Sequence, residues 1–102
     1  MLFPEHVLTV RATVKPERDG EFNRWYNAEH TPDAVKAFKG CIGGARYKVV
    51  EGDGAHQYIA MYAFRTAAEM NAAMASPDIK ALIAEYDAKV GAFSTRQRTT
   101  YS

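Results

Sequence analysis

The chain has 102 residues, of which 47% are apolar and 25% charged; this is the make-up of a single globular domain and excludes an intrinsically disordered chain. Thirteen basic residues stand against twelve acidic ones, and each half is balanced too, eight against seven up to Glu51 and five against five beyond it. A nucleic-acid surface needs a basic stripe that displaces counterions, and the pair Arg96 and Arg98 is too little to make one. The lone Cys41 excludes an intramolecular disulfide and a multi-cysteine zinc site. The N-terminal run Met1-Leu2-Phe3-Pro4-Glu5-His6 has neither a basic head nor a long apolar core. The apolar stretch after it ends at Arg11, well short of the ~20 residues of a membrane span. These features predict one cytoplasmic domain over residues 1–102, with neither nucleic acid nor membrane as partner.

From Val7 to Val14 the residues alternate. Leu8, Val10, Ala12 and Val14 share one face and Val7, Thr9, Arg11 and Thr13 the other, as in a strand with one dry side. Pro16 suits the opening of a helix, because its missing N–H would be unpaired there. Residues 17–29 carry Phe22, Trp25 and Tyr26 at helical spacing, with Glu17, Asp19 and Glu21 early, where the helix dipole favours acids. Thr31-Pro32-Asp33 then reads as the N-cap and first positions of a separate short helix to about Phe38. A second strand runs from Cys41 to Glu51, with Gly43-Gly44 marking a bulge or a close backbone approach. Gly52-Asp53-Gly54 turns the chain into a third strand from Gln57 to Phe64, which puts Tyr58, Tyr62 and Phe64 on one face and Ile59 and Met61 on the other. Thr66-Ala67-Ala68-Glu69 matches a capping box. Ser76-Pro77-Asp78 restarts a helix, Gly91 stops it, and Phe93 to Tyr101 reads as the last strand.

The order β-α-β-β-α-β predicts an α+β, ferredoxin-like fold: a four-stranded antiparallel sheet with helices on one face. The uncovered face, with Val7, Thr9 and aromatic residues, is too apolar for water and predicts a homodimer packed sheet to sheet. Thr31-Pro32-Asp33 recurs 45 residues later as Ser76-Pro77-Asp78. Ala75 occupies the place of His30 in that repeat, so backbone geometry alone does not demand an imidazole there.

His30 is the leading candidate for chemistry, since a histidine at a helix junction titrates near working pH and can give or take a proton. The alternative is a partly exposed helix-end histidine bonded to Glu29 or a carbonyl. His6 opens the first strand on the helix-facing side, where it can relay or orient, or stand in solvent. Arg46 can anchor a carboxylate, enolate or phenolate through its planar fork, or pair with Glu51 or another carboxylate. Tyr58 and Tyr62 share a strand face as phenolic donors or as packing. Phe22, Trp25 and Tyr26 are core residues or the walls of a pocket for a flat apolar ligand. No metal is expected: Glu29 and His30 are adjacent, so their side chains diverge by about 100° on a helix, and no ligand spacing such as H-x-x-x-H is present. The chain has no Gly-rich phosphate loop and no nucleophile elbow.

The run Phe22-Asn23-Arg24-Trp25-Tyr26-Asn27-Ala28-Glu29-His30-Thr31-Pro32-Asp33, together with Lys39-Gly40, Ala45-Arg46-Tyr47 and Tyr58-Ile59-Ala60-Met61-Tyr62, resembles the dimeric α/β-barrel superfamily and, within it, the EthD-like proteins. The resemblance extends from about Val7 to Tyr101. It implies ferredoxin-like subunits that pair through their sheets into a barrel, with a ligand cleft between sheet and helices. That superfamily includes cofactor-free quinone-forming monooxygenases, polyketide cyclases, muconolactone isomerases, haem-degrading enzymes and stress-related proteins, so the fold fixes no reaction. The family's helix histidine falls on His30 and its strand arginine on Arg46. Its monooxygenase pattern has counterparts in Asn23 or Asn27, Trp25, Tyr62 and Arg46.

The expected function is cofactor-independent acid–base chemistry (cyclisation, isomerisation, elimination or C–C cleavage through an enolate) on an apolar carbonyl-bearing or aromatic small molecule. His30 would be the acid or base. Arg46, Tyr62 or Tyr26 would steady the developing anion. The alternatives are a cofactor-free monooxygenase of phenols and a non-catalytic binding or stress-response module.

Overall fold

The computed structural model describes residues 3–102; Met1 and Leu2, where the N-terminal run begins, lie outside the described residues. Four strands, β1 (His6–Val14), β2 (Cys41–Lys48), β3 (Tyr58–Phe64) and β4 (Ser94–Tyr101), form one antiparallel sheet in the order β2-β3-β1-β4. Helices α1 (Asp19–Trp25), α2 (Thr31–Ala37), α3 (Ala67–Met74) and α4 (Pro77–Lys89) cover one face. This is the ferredoxin-like α+β architecture that the alternation and the β-α-β-β-α-β order predict. No helix among the described residues is long and apolar enough to cross a membrane.

The predicted faces hold. Leu8, Ala12 and Val14 of β1 are buried with Ala60, Tyr62 and Phe64 of β3 in the core beneath the helices. The register pairs Leu8 with Tyr62, Val10 with Ala60 and Ala12 with Tyr58. On the other face, Thr9 is buried and its hydroxyl donates to the Thr99 carbonyl at 3.3 Å, while Tyr47 and Tyr101 stand exposed.

Several boundaries move. Pro16–Arg18 forms a 3-10 turn, so α1 starts at Asp19 rather than at residue 17. β2 ends at Lys48, well before Glu51; one further backbone bond, from Val49 N–H to the Gln57 carbonyl at 2.7 Å, closes the wider loop. A 3-10 turn at Gly91–Phe93 precedes β4. The capping box forms at Thr66, whose hydroxyl accepts from the Glu69 N–H at 3.1 Å. The Glu69 carboxylate, however, is taken up by Arg65 and by the Thr66 hydroxyl instead of a backbone donor.

The largest departure is at Thr31. Ser76 is an extended N-cap residue (φ −81°, ψ 158°) whose hydroxyl accepts from the Ile79 N–H. Thr31, its sequence counterpart, is helical (φ −63°, ψ −47°). No second helix starts there. Asp19 to Ala37 form one continuous rod whose middle turn, Tyr26–His30, is a π-helix. Proline inside a regular helix removes a hydrogen bond and clashes with the carbonyl four residues back, here that of Ala28. A wider turn just before Pro32 relieves both, and such turns are frequent at functional sites. Ala75 follows α3 as a cap, outside any helix, whereas His30 sits inside the rod. The two positions are therefore not structurally equivalent, and the comparison between them says nothing about His30.

Gly43 and Gly44 combine both predicted roles. The β2–β3 register shifts between Cys41 and Gly43, a bulge, and a Cβ on Gly44 would lie 2.8 Å from Val35 Cγ2 and 3.0 Å from the Tyr62 ring. Val35 is stiff and Tyr62 is buried, so neither can yield easily. Replacing Gly44 by Ala is expected to cost about 1–3 kcal/mol, whereas Gly43→Ala, with open space around its Cβ, should cost far less. Urea denaturation of the two variants checks the contrast.

Candidate active site

The rod, the sheet and α4 enclose a cavity of about 50 Å³. Its apolar walls come from β1 (Leu8, Val10), the end of the rod (Phe38) and α4 (Ile79, Leu82, Ile83). Its polar groups are few: His30, three tyrosines (Tyr26, Tyr62, Tyr86) and two arginines of β4. The cavity lies between sheet and helices, where the resemblance implies a ligand cleft.

The π turn sets the two residues at its ends, Tyr26 and His30, into this space. His30 is 8% exposed. Its ring stacks on Trp25 (centroids 4.6 Å apart, planes at 27°) and meets the edges of Tyr26 at 5.1 Å and Tyr86 at 6.0 Å. Aromatic faces, not hydrogen bonds, hold it. Nδ1 is buried without a partner among the described residues, which leaves Nε2 for any exchange with a ligand, and no hydrogen bond among the described residues fixes the tautomer. Burial is the main cause that pushes its pKa down to about 4; Arg96 and Arg46 add to the shift and Asp33 opposes it. The expectation of titration near working pH is thus corrected: at neutral pH His30 is an uncharged proton acceptor.

Arg46 does not share the cavity. It projects from β2 on the other flank of the rod, where it lines an open groove with Asn27, Thr31 and Lys36. Its guanidinium lies 4.2 Å from the Tyr26 ring centroid, and Nη1 donates to Asn27 Oδ1 at 3.0 Å. Among the described residues no carboxylate pairs with it and its Nε and Nη2 are buried without partners; burial lowers its pKa. Tyr26 stands between Arg46 and His30 and touches both.

The cation beside His30 is Arg96. It lines the cavity, lies 3.9 Å over the Tyr86 ring and pairs with Asp87 at 2.9 Å. Arg98 lines the same cavity, is exposed, and meets no ion-pair partner among the described residues. Sequence reading passed over both as a weak basic pair. The available signal was period two along β4: Arg96 and Arg98 fall opposite Ala12 and Val10, on the helix-facing side.

Tyr62 lines the cavity, and its hydroxyl lies 3.3 Å from Thr31 Oγ1, which faces the groove on the far flank. Burial raises the phenols of Tyr26 and Tyr62 above their ordinary value, that of Tyr26 well above it. Phe22 and Trp25 are core residues behind His30 and not cavity walls. The Tyr58 hydroxyl donates to Asp19 Oδ1, also away from the cavity. His6 opens β1 with Nδ1 3.3 Å from Ser102 Oγ, outside the cavity lining, and is not brought together with His30. Among the described residues no group of three His, Cys, Asp or Glu could hold a metal ion.

No protein-family profile matches the sequence, and no curated protein matches it. Solved structures do. An ethyl tert-butyl ether D (EthD) family protein from Bacillus halodurans superposes over 92% of this chain and 96% of its own, with 16% identity and a TM-score of 0.66. HapK from Hahella chejuensis covers 95% and 90% at 7% identity, TM-score 0.70. SnoaB from Streptomyces nogalater, a cofactor-independent oxygenase, covers 96% and 92% at 18% identity, TM-score 0.58. Antibiotic biosynthesis monooxygenase-like proteins are among the neighbours as well. The chain has the ferredoxin-like fold of EthD and antibiotic biosynthesis monooxygenase-type proteins, in agreement with the resemblance read from its residues.

The depressed pKa of His30 has a thermodynamic signature. Between the unfolded value of 6.5 and the folded value of about 4, the unfolded chain binds more proton, so stability falls as pH drops through that window. The loss amounts to about 3 kcal/mol. Denaturation at pH 7.5 and pH 4.5 should show the slope in the native protein and a clearly smaller one in His30→Gln; equal slopes would remove the neutral, buried imidazole from the description.

Proposed function

We propose that the chain is a cofactor-independent small-molecule enzyme in which neutral His30 removes a proton from a carbon next to a carbonyl. The observation that carries this reading is the hydrogen-bond-free imidazole aimed into an apolar cavity beside a guanidinium. The C–H bond breaks, the proton passes to Nε2, and the electron pair moves onto the carbonyl oxygen as an enolate. Arg96 and the buried phenols of Tyr62 and Tyr26 steady that anion, where donors in a dry site act most strongly. A base of low resting pKa becomes competent as negative charge develops beside it, because the enolate stabilises the imidazolium. Return of that proton to another carbon isomerises the substrate; attack of the enolate carbon on a second carbonyl, whose oxygen takes the proton from Nε2, closes a ring; and departure of a β leaving group as the enolate collapses, protonated by the imidazolium, is elimination. In a β-hydroxy carbonyl compound the base takes the hydroxyl proton instead, the C–C bond breaks to a carbonyl and an enolate, and the enolate carbon takes the proton back. Arg46 serves by holding the Tyr26 ring from behind. The same base and cation would serve a phenol, whose phenolate oxygen could oxidise; SnoaB, a structural neighbour, is a cofactor-independent oxygenase.

We also propose that two copies pair through the uncovered sheet face, and that the protein is cytoplasmic. Exposed Tyr47 and Tyr101 beside half-buried Ile59 and Met61 support the pairing; the free thiol of Cys41 supports the location.

The test is deuterium exchange at the α-carbon of short ketones and diketones in D₂O, followed by proton NMR, with an oxygen electrode run on phenols in parallel. Turnover should fall by about 10²–10⁴-fold in His30→Ala, with the circular dichroism unchanged. The acid limb of kcat/KM should lie near the His30 value of about 4. Turnover unaffected by His30→Ala removes the assignment; ligand binding without any turnover in the native protein leaves a binding module.

A further inference from the structure

Charge is distributed unevenly around the cavity. Arg96 and Arg98 of β4 both line it, and among the described residues no carboxylate does. Asp87, the one acid tied to this group, is held by Arg96 Nη1 and stands outside the cavity lining. Arg96 is fixed twice, by that ion pair and by the Tyr86 ring beneath it. Arg98 is exposed and has neither an ion-pair nor a hydrogen-bond partner among the described residues. Beside these two cations the walls are hydrocarbon: Val10 of β1, the cross-strand neighbour of Arg98, and Leu82 and Ile83 of α4. Ile83 is 37% exposed, which puts it at the rim. A guanidinium is weakly hydrated and grips a planar carboxylate through two parallel N–H donors.

We infer that the cavity takes an amphiphilic carboxylate, its hydrocarbon body between Val10, Leu82 and Ile83 and its carboxylate on Arg98 and the free donors of Arg96. This rests on the cavity being the ligand site and adds the class of ligand to it. The anchored carboxylate fixes which part of the chain reaches His30, the one histidine among the described residues that line the cavity. Size bounds the body as well. A volume of about 50 Å³ admits about four water-sized groups, so the outer four carbons of a six-carbon acid fit as the cavity stands, with the carboxylate and the carbon next to it at the arginines, and longer chains require α4 to move outward.

The experiment uses three probes of one length, hexanoate, 1-hexanol and hexylamine, titrated at pH 7 into the intact protein while the His30 ring signals are followed by NMR. Hexanoate should bind at least ten times more tightly than hexanol, and hexylamine more weakly than either. Arg98→Gln should bring hexanoate down to the level of hexanol and leave hexanol unchanged. Arg98→Glu should reverse the order in favour of hexylamine. If hexanol and hexanoate shift the His30 signals with equal affinity, or if Arg98→Gln leaves hexanoate unaffected, the carboxylate inference is wrong and the cavity remains a ligand site. If none of the probes moves the His30 signals, the cavity reading falls along with it.

Discussion

Pro32 has no amide hydrogen to offer the carbonyl of Ala28, and its ring needs the space where a regular helix would bring that carbonyl. The chain meets this constraint by widening the turn from Tyr26 to His30 rather than by breaking the helix. Everything at the site follows from that turn. It rotates Tyr26 and His30 inward to the same cavity, brings Trp25 behind the imidazole, and leaves Thr31 helical so that its hydroxyl reaches Tyr62 instead of capping. Gly44 completes the arrangement from below, since any side chain there would push Val35, and with it the rod, off the sheet.

The electrostatics are those of a dry site with an excess of positive charge. Burial holds His30 neutral, and the nearby guanidiniums reinforce the shift. Two arginines flank the rod with different surroundings. Arg46 is enclosed by aromatic rings and bonded to Asn27, so it supports Tyr26 from outside the cavity. Arg96 lies along the cavity wall with its charge partly met by Asp87. An anion formed inside would therefore meet donors already in place, with little reorganisation.

β1 and β3 were legible because each alternates with one buried face, whereas β2 and β4, which hold no fully buried residue, were legible from the glycines that precede them. Leu8 to Val14 and Tyr58 to Phe64 carry their side assignment in the residue types themselves. The caps at Thr66 and Ser76 were legible for a similar reason, as each depends on a side chain a few residues from its backbone partner. Thr31-Pro32 was not, because the same three residue types that cap α4 also fit within a widened helix, and only packing against the sheet decides between the two. His30 was found from its neighbourhood, but its charge state depends on burial, which local sequence does not encode. The sequence pointed to Arg46 as the anion's partner; choosing Arg96 requires knowing that β4 lies beside β1 and that even-numbered residues face α4.

The cavity lies where the two halves of the chain meet, with the rod and β1 from the first half on one side and α4 and β4 from the second on the other. A molecule bound there touches both halves and is absent from the unfolded chain, so its binding energy becomes folding energy. At a hundredfold excess over the dissociation constant this is worth about 2.7 kcal/mol. For a domain of this length each kcal/mol moves the midpoint of thermal unfolding by about 4–8 °C. A molecule that fills the cavity would thus be read in the melting temperature of the protein, whether or not any reaction follows.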